Sequence, residues 1–302
     1  MTGADASPTA ILLIACPDRR GLVARTAEFV AARNGNIVHA DHHIDLSTGL
    51  FLMRLEWELS GFELGRDEID TGFAPLAEEI GADWSLHFSD TRARLAVFVS
   101  RQEHCLSDLL LRQRVDELRC ELALVLGNHP DLEALAHSFG AAFHHVPTEA
   151  GDRAAAETRQ LDLLREHGVD VLVLAKYMQV LSPAFLRAFE QEVSPRQLRH
   201  AGRHRIINIH HSFLPAFAGA NPYRQAFERG VKIIGATAHY VTEELDAGPI
   251  IEQDTVRISH RDTVDDLVRK GRDLERVVLA RAVRSHLENR VLVHGNRTSV
   301  FE

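Results

Sequence analysis

Two successive hydrophobic patterns divide this 302-residue chain and limit the folds it can adopt. Over residues 1–90, apolar runs and turn residues follow one another in the order strand, helix, strand, strand, helix, strand. After the polar stretch 89–94, short apolar runs alternate with helical segments, as in a mostly parallel sheet covered by helices on both faces. The sequence therefore predicts an α/β protein with a βαββαβ domain over 1–90 and a second domain over 91–302.

Turn residues separate the predicted strands and helices of residues 1–90. Ser47-Thr48-Gly49 separates two alternating segments, which indicates a β-hairpin, and Asn34-Gly35-Asn36 ends the first helix. We expect a small sheet with helices on one face and a free second face. The predicted strands span 9–15, 37–46, 50–59 and 83–88, and the second helix spans 66–80.

The pattern of the second domain predicts a mostly parallel, Rossmann-like sheet. Open sheets of this type place their active sites at the carboxyl ends of the strands, so we expect the functional residues there. The predicted strands span 95–99, 122–126, 171–174, 205–210 and 231–241, and the predicted helices lie near 105–118, 130–138, 152–167, 183–192 and 262–288.

Composition argues against several classes of protein. The formal net charge of −9 disfavours nucleic-acid and anionic membrane partners, because phosphate binding relies on clustered Lys and Arg. The early apolar run Ala10–Cys16 is too short to span a bilayer, and no basic segment precedes it. The three cysteines form no CxxC pair, which indicates a reducing compartment. We expect a cytoplasmic protein without a signal peptide or a transmembrane helix.

The sequence contains no motif for a common cofactor. It has no GxGxxG, GxxxxGK[ST] or GxSxG pattern, and its 18 histidines include no HExxH pair. We therefore expect no metal site and no redox cofactor.

Polar residues at strand ends form a candidate catalytic set. Alternation along the strand that ends at His210 places Asn208 and His210 on one face, and Asp246 lies beside the tight turn of Gly248-Pro249. An amide, an imidazole and a carboxylate at one edge of a sheet can stabilise an oxyanion and move protons, as acyl transfer requires. A capping Asn, a core His and a turn Asp explain the same spacing equally well.

Three ordered sequence blocks resemble the formyltransferase-fold enzymes that use 10-formyltetrahydrofolate. They are Asn-Ile-His-His-Ser-Phe-Leu-Pro at 208–215, Gly-Ala-Thr-Ala-His-Tyr-Val-Thr at 235–242 and Leu-Asp-Ala-Gly-Pro-Ile-Ile at 245–251. The segment 16–23 resembles an ACT domain, and His-Cys-Leu-Ser-Asp-Leu-Leu at 104–110 resembles a block of the formyltetrahydrofolate deformylases. Together the resemblances cover nearly the whole chain and imply membership of that deformylase family.

The resemblance implies specific site residues. It makes Asn208, His210 and Asp246 catalytic, and it implies an amino-acid effector site of the ACT-like domain at Asp18 and Gly21. Without the resemblance, core packing is the preferred interpretation of Met178, Val180 and Leu181. The implied folate-binding residues are Met178, Gln179, Val180, Leu181, Thr242, Glu243, Glu244 and Leu245.

The loop after the first strand of the second domain bears on the acceptor. In a related enzyme that formylates glycinamide ribonucleotide, a glycine-rich loop at this place holds the phosphate. Here the loop 99–106 has no glycine and carries Glu103, which favours water as the acceptor, and His104 and Cys105 are candidates for the water pocket. Near the rim of the site, Asn221 and Arg224 stand where the family pattern has Lys and His.

The expected activity is hydrolysis of 10-formyltetrahydrofolate to tetrahydrofolate and formate, which supplies formate and balances the one-carbon folate pool for purine biosynthesis. Asp246 should favour the protonated ring of His210, which donates with Asn208 to the developing oxyanion while Asp246 accepts a proton from water. The alternatives are a formyltransferase that acts on an amine and an inactive folate- or amino-acid-binding regulator. We also expect a homo-oligomer.

Overall fold

The protein is described by a computed structural model that covers residues 7–148, 152–192, 204–215 and 222–302. Its strands are β1 (Thr9–Pro17), β2 (Ile37–Asp45), β3 (Leu50–Glu58), β4 (Asp83–Phe88), β5 (Ala93–Val99), β6 (Cys120–Gly127), β7 (Phe143–His145), β8 (Val171–Ala175), β9 (Ile206–His210), β10 (Ile233–Tyr240), β11 (Ile250–Arg257), β12 (Val291–His294) and β13 (Arg297–Val300). Its α-helices are α1 (Leu22–Ala31), α2 (Arg66–Ile80), α3 (His104–Arg114), α4 (Glu133–Ser138), α5 (Arg153–Glu166), α6 (Pro183–Glu192), α7 (Pro222–Arg229) and α8 (Val264–Leu287).

The N-terminal elements follow one another in the predicted βαββαβ order. They form an antiparallel sheet with the strand order β2-β3-β1-β4, and the predicted hairpin joins β2 to β3. Side chains from one face of this sheet pack with α1 and α2, and Trp57 and Phe73 are fully buried there. The ring of Phe73 meets that of Trp84 edge-on at a centroid distance of 4.9 Å. Apolar runs, turn residues and helical spacing thus gave the order of these elements correctly.

The expectation of a free second face was wrong. The C-terminal strands β12 and β13 form an antiparallel hairpin, and Leu292 and Phe301 pack against Leu13 and Leu52 of the N-terminal sheet. The hairpin was not predicted because β12 and β13 have only four residues each, too few for a clear alternation. The end of the chain therefore covers part of the face that the helices leave open.

The larger sheet has the strand order β11-β10-β9-β8-β5-β6-β7. Strands β7, β6, β5, β8 and β9 are parallel, so the prediction of a mostly parallel sheet is confirmed. One apolar cluster lies between this sheet and α3 and α8, and another lies between its opposite face and α5 and α6. Strands β7 and β11 and helix α7 were not predicted, because they are short or only partly buried.

Strands β10 and β11 run antiparallel to their neighbours, which affects the site. Tyr240 at the carboxyl end of β10 pairs with Ile207, near the start of β9, and His239 pairs with Asn208. The end of β10 and the end of β9 therefore lie at opposite edges of the sheet.

Within the described ranges, no helix is long and apolar enough to cross a membrane.

Arg54 of β3 ties the N-terminal sheet to the end of α8. Its guanidinium donates to the carbonyl oxygens of Asn289 at 3.1 Å and Glu288 at 3.4 Å and pairs with Glu56 at 2.8 Å. Because the last carbonyls of a helix lack partners within the helix, this contact satisfies them and places a cation at the negative end of the helix dipole.

The pKa values of two partly buried histidines beside this contact, His87 and His286, predict a loss of stability in mild acid. Burial lowers the pKa of His87 and the pKa of His286 to about 4, and the Tyr240 hydroxyl lies 2.8 Å from Nδ1 of His286. Between pH 6.5 and 4 the unfolded chain binds protons that these rings cannot bind in the folded protein. The free energy of unfolding should therefore decrease as the pH is lowered through this range, by up to about 1.4 kcal/mol per pH unit for each ring.

Chemical denaturation at several pH values checks this expectation. The variant with both His87→Gln and His286→Gln should show a shallower decrease in the free energy of unfolding between pH 7 and 5 than the wild type. Equal slopes in the two proteins would show that these histidines do not control the acid response.

Candidate active site

His210 and Asp246 meet although they come from opposite edges of the sheet. The Asp246 carboxylate oxygen Oδ2 lies 3.2 Å from Nδ1 of His210. The loop after β10 turns back to achieve this, and the backbone N–H of Tyr240 donates to the carbonyl of Pro249 at 2.9 Å. A Cβ atom on Gly248 would lie 1.8 Å from the Tyr240 carbonyl oxygen, so only glycine permits this close approach. The sequence placed Asp246 after a strand end but did not show that this strand, β10, runs antiparallel to β9.

The other ring nitrogen of His210 is buried and has no hydrogen-bond partner among the described residues. Because Nδ1 faces the carboxylate, this Nε2 atom is the one left to bind a ligand. The hydrogen bond from His210 holds the pKa of Asp246 below its usual value, although partial burial acts in the opposite direction. Asp246 is therefore ionised at neutral pH.

Asn208 is oriented by His239, which lies near the end of β10 and is not in the predicted catalytic set. Burial lowers the pKa of His239, so the ring is neutral at neutral pH. Its Nδ1 lies 2.9 Å from the Tyr240 carbonyl and must donate, which leaves the Nε2 lone pair to accept from the Asn208 amide at 3.3 Å. His239 also lies 3.7 Å from Asp246, so one ring contacts two of the three predicted catalytic residues.

Two loops carry the residues implied for folate binding. Met178 is 60 % exposed, Val180 is 55 % exposed and Leu245 is 64 % exposed. Core packing, the alternative for the first two, is thus wrong, whereas Leu181 is buried in the apolar cluster beside α6. Gln179 and Thr242 are partly buried, and Glu243 and Glu244 are exposed.

Side chains from neighbouring elements hold these loops in place. The buried Ser100 hydroxyl accepts from the backbone N–H of Met178 at 3.0 Å, and Arg187 of α6 pairs with Glu243 at 2.5 Å. The Thr242 hydroxyl donates to the Glu244 carbonyl at 3.1 Å. Both loops are thus fixed in shape while large apolar side chains remain exposed on them.

Comparison with known proteins shows which family has this arrangement. A family model described as formyl transferase matches residues 93–283. A curated formyltetrahydrofolate deformylase of Synechocystis is 56 % identical over 293 residues, which cover 97 % of this chain and 98 % of that protein. The chain belongs to the formyltetrahydrofolate deformylase family. The predicted membership of this family is thereby confirmed.

Solved structures agree with this assignment. The crystal structure of a formyltetrahydrofolate deformylase from Pseudomonas syringae has a TM-score of 0.92 at 48 % identity and covers 99 % of this chain and 96 % of that one. A glycinamide ribonucleotide transformylase from Symbiobacterium toebii has a TM-score of 0.63 at 33 % identity and covers 72 % of this chain and 97 % of that one. The larger sheet of this chain and its helices thus have the formyltransferase fold.

The other candidate residues lie in α7, in the turn before α1 or outside the described part of the chain. Arg224 is an exposed residue of α7 that pairs with Glu228 at 3.1 Å, and Asn221 lies outside the described residues. Asp18 is exposed, and its backbone N–H donates to the Gly49 carbonyl at 2.8 Å. Gly21 precedes α1 with a positive φ of 87° and provides no side-chain cap.

Sequence reasoning named His104 as a candidate for the water pocket but missed the polar cluster that it forms with Lys176, Tyr223 and Glu275. Ligand atoms of His104, Cys105 and Glu275 lie within 4.8 Å of one another, a spacing suitable for a metal ion. However, Lys176 Nζ already lies 3.2 Å from a Glu275 oxygen, and its charge disfavours a cation at that place. The glycine four residues before Glu275 in α8 and the lysine directly after β8 were the available sequence signals.

Proposed function

We propose that this protein hydrolyses the N10-formyl group of 10-formyltetrahydrofolate and releases tetrahydrofolate and formate. The observation that carries the proposal is the buried, unpartnered Nε2 of His210, which is held by Asp246 next to Asn208 in a chain of this family. Such an arrangement offers a hydrogen-bond donor aimed at a polar group that the protein itself does not supply.

The mechanism assigns one role to each of three residues. His210 Nε2–H and the free amide N–H of Asn208 donate to the formyl oxygen as it gains negative charge. The ionised Asp246 aligns the His210 ring and accepts a proton from the attacking water directly or through solvent. The bond from the water oxygen to the formyl carbon forms, the bond to N10 breaks, and N10 takes up the proton that Asp246 accepted from the water. The formic acid then releases its remaining acidic proton to solvent and leaves as formate.

The folate would bind between the two loops described above. The exposed side chains of Met178, Val180 and Leu245 offer apolar contacts for a pterin ring, and the backbone of residues 178–181 and 242–245 offers hydrogen bonds to its edge. Leu181 would contribute through its backbone, because its side chain is buried. The mechanism uses no metal and no redox cofactor.

The acceptor distinguishes hydrolysis from formyl transfer. The loop before α3 presents the exposed Glu103 and no glycine, so it lacks the glycine-rich turn that can hold a phosphate. We expect purified protein to release formate from 10-formyltetrahydrofolate at the same rate with and without glycinamide ribonucleotide. Mass spectrometry that finds formylated ribonucleotide as a major product would place the protein among the transferases.

The N-terminal sheet and its two helices would form an ACT-like regulatory domain over residues 1–90. Its strand order β2-β3-β1-β4 is compatible with that domain, and Asp18 and Gly21 lie in the turn before α1. Binding of a small amino acid at this turn would modulate activity at a subunit interface of a cytoplasmic homo-oligomer. Calorimetric titration with the common amino acids tests this; no binding by any of them would leave a purely structural role.

In the cell this activity would supply formate and balance the one-carbon folate pool that feeds purine biosynthesis. Intact Asn208, His210 and Asp246 argue against an inactive regulator. Absence of formate release by the folded protein would favour that alternative.

A further inference from the structure

The cluster of His104, Lys176, Tyr223 and Glu275 lies in the crevice at the centre of the larger sheet. Strand order reverses direction between β5 and β8, because β6 and β7 extend the sheet on one side while β9, β10 and β11 extend it on the other. Ligands of open α/β sheets bind outside the carboxyl ends of the strands at such a reversal. His104 begins the helix after β5, and Lys176 directly follows β8. The cluster therefore occupies the place where such a sheet most readily admits a ligand.

Both oxygens of the Glu275 carboxylate have a partner within the protein. Its Oε2 lies 2.9 Å from Nε2 of His104 and 3.2 Å from Nζ of Lys176, and its Oε1 accepts a hydrogen bond from the Tyr223 hydroxyl. Glu275 is 1 % exposed and Lys176 is 5 % exposed. Burial alone would raise the pKa of Glu275, but the His104 hydrogen bond and the Lys176 charge lower it to about 2. The carboxylate stays ionised and paired at neutral pH.

Two unusual backbone features support the cluster. Lys176 has a φ of 61°, a left-handed conformation that is uncommon for lysine and costs free energy. A Cβ atom on Gly271 in α8 would lie 2.1 Å from the Tyr223 hydroxyl oxygen, so a glycine inside a helix is required for Tyr223 to reach Glu275. The end of β8 and the middle of α8 thus each contain a backbone feature that is unfavourable by itself, at the place where the ion pair forms.

The cluster is one ring away from the candidate active site. His211 follows His210, with ring centroids 5.1 Å apart, and its ring lies 6.0 Å from that of Tyr223. Burial and, next, the charge of Lys176 lower the pKa of His211 to about 4, so this ring is neutral at neutral pH. The His211 ring thus connects the cluster to the candidate active site.

We propose that Lys176 and Glu275 determine the acceptor: their ion pair fills the crevice that an amine would have to enter, and only water reaches the formyl carbon. The inference rests on the proposed hydrolysis and adds a pair of specificity-determining residues to it. It concerns the space that the two side chains fill rather than their charge.

The test uses two double variants of the full chain. In the first, Lys176→Gly and Glu275→Gln open the crevice; glycine suits the left-handed backbone, and the glutamine amide can still bond to Tyr223 and His104. In the matched control, Lys176→Met and Glu275→Gln remove the charges but keep the volume. If the glycine variant does not fold, Lys176→Ser with Glu275→Gln takes its place.

The assay measures competition between water and hydroxylamine, an amine that is largely unprotonated at neutral pH. In transfer, the bond from the hydroxylamine nitrogen to the formyl carbon forms, the bond to N10 breaks, and a proton of the amine moves to N10, which gives formylhydroxamic acid. Formate and formylhydroxamic acid are both quantified, and the rate without enzyme is subtracted.

The ratio of formylhydroxamic acid to formate should rise on the order of tenfold in the opened variant, as expected for a changed pocket side chain, and stay at the wild-type value in the control. A merely structural role would lower both products together and leave the ratio unchanged. An unchanged ratio in the opened variant, or an equal rise in the control, overturns the inference. Wild-type protein that releases no formate would instead contradict the proposed function.

Discussion

Replacing Asp246 by asparagine should lower the rate of formate release by about 10²- to 10³-fold, the range typical for loss of one electrostatic contact to the transition state. The substitution keeps the size of the side chain, and asparagine tolerates the left-handed backbone of Asp246, whose φ is 55°. It removes the negative charge that aligns His210 at 3.2 Å and that would accept the proton of water. Steady-state kinetics of formate release, with kcat and KM separated, provide the measurement.

A matched control keeps the chemistry of the substitution and changes its place. Asp83→Asn alters an exposed aspartate at the start of β4 in the N-terminal sheet and should leave kcat unchanged. Asn208→Ala and His210→Ala should each abolish hydrolysis while the fold remains intact. Near-normal activity of His210→Ala would reject the mechanism, and thermal unfolding of each variant separates loss of catalysis from loss of the fold.

The sequence was sufficient where one periodic face is buried. Apolar runs and helical spacing gave β1 to β4 and α2 nearly to the residue, because turn residues bound these elements in the sequence. The predicted set of Asn208, His210 and Asp246 is also brought together. That proximity followed from family blocks rather than from spacing, since spacing alone left a cap, a core residue and a turn residue as equal alternatives.

Contacts between distant segments could not be read from the sequence. The direction of β10 depends on its pairing with β9, and that direction brings the loop of Asp246 back across the sheet edge. The pairing of Lys176 with Glu275 joins a strand end to the middle of α8 and leaves no periodic signal. The role of His239 depends on a tautomer that its contact with the Tyr240 carbonyl decides. Local patterns specify elements, whereas these features arise only when the elements pack.

The C-terminal hairpin of β12 and β13 gives a prediction for the stability of the protein. Phe301 is 3 % exposed and packs with Leu292 against Leu13 and Leu52, and its backbone N–H donates to the Arg290 carbonyl at 2.9 Å. Phe301→Ala should therefore lower the free energy of unfolding by about 3 kcal/mol, because it removes a buried ring and leaves a cavity between hairpin and sheet.

Equilibrium unfolding in urea measures this change, and the neighbouring residue provides the control. Val300 is 40 % exposed, so Val300→Ala should change the free energy of unfolding by about 0.5 kcal/mol or less. The hairpin contacts the face of the sheet opposite α1 and α2, so Phe301→Ala should also expose apolar surface of β1 and β3 to a hydrophobic dye. Equal effects of the two substitutions would mean that the hairpin contributes little to holding the N-terminal sheet.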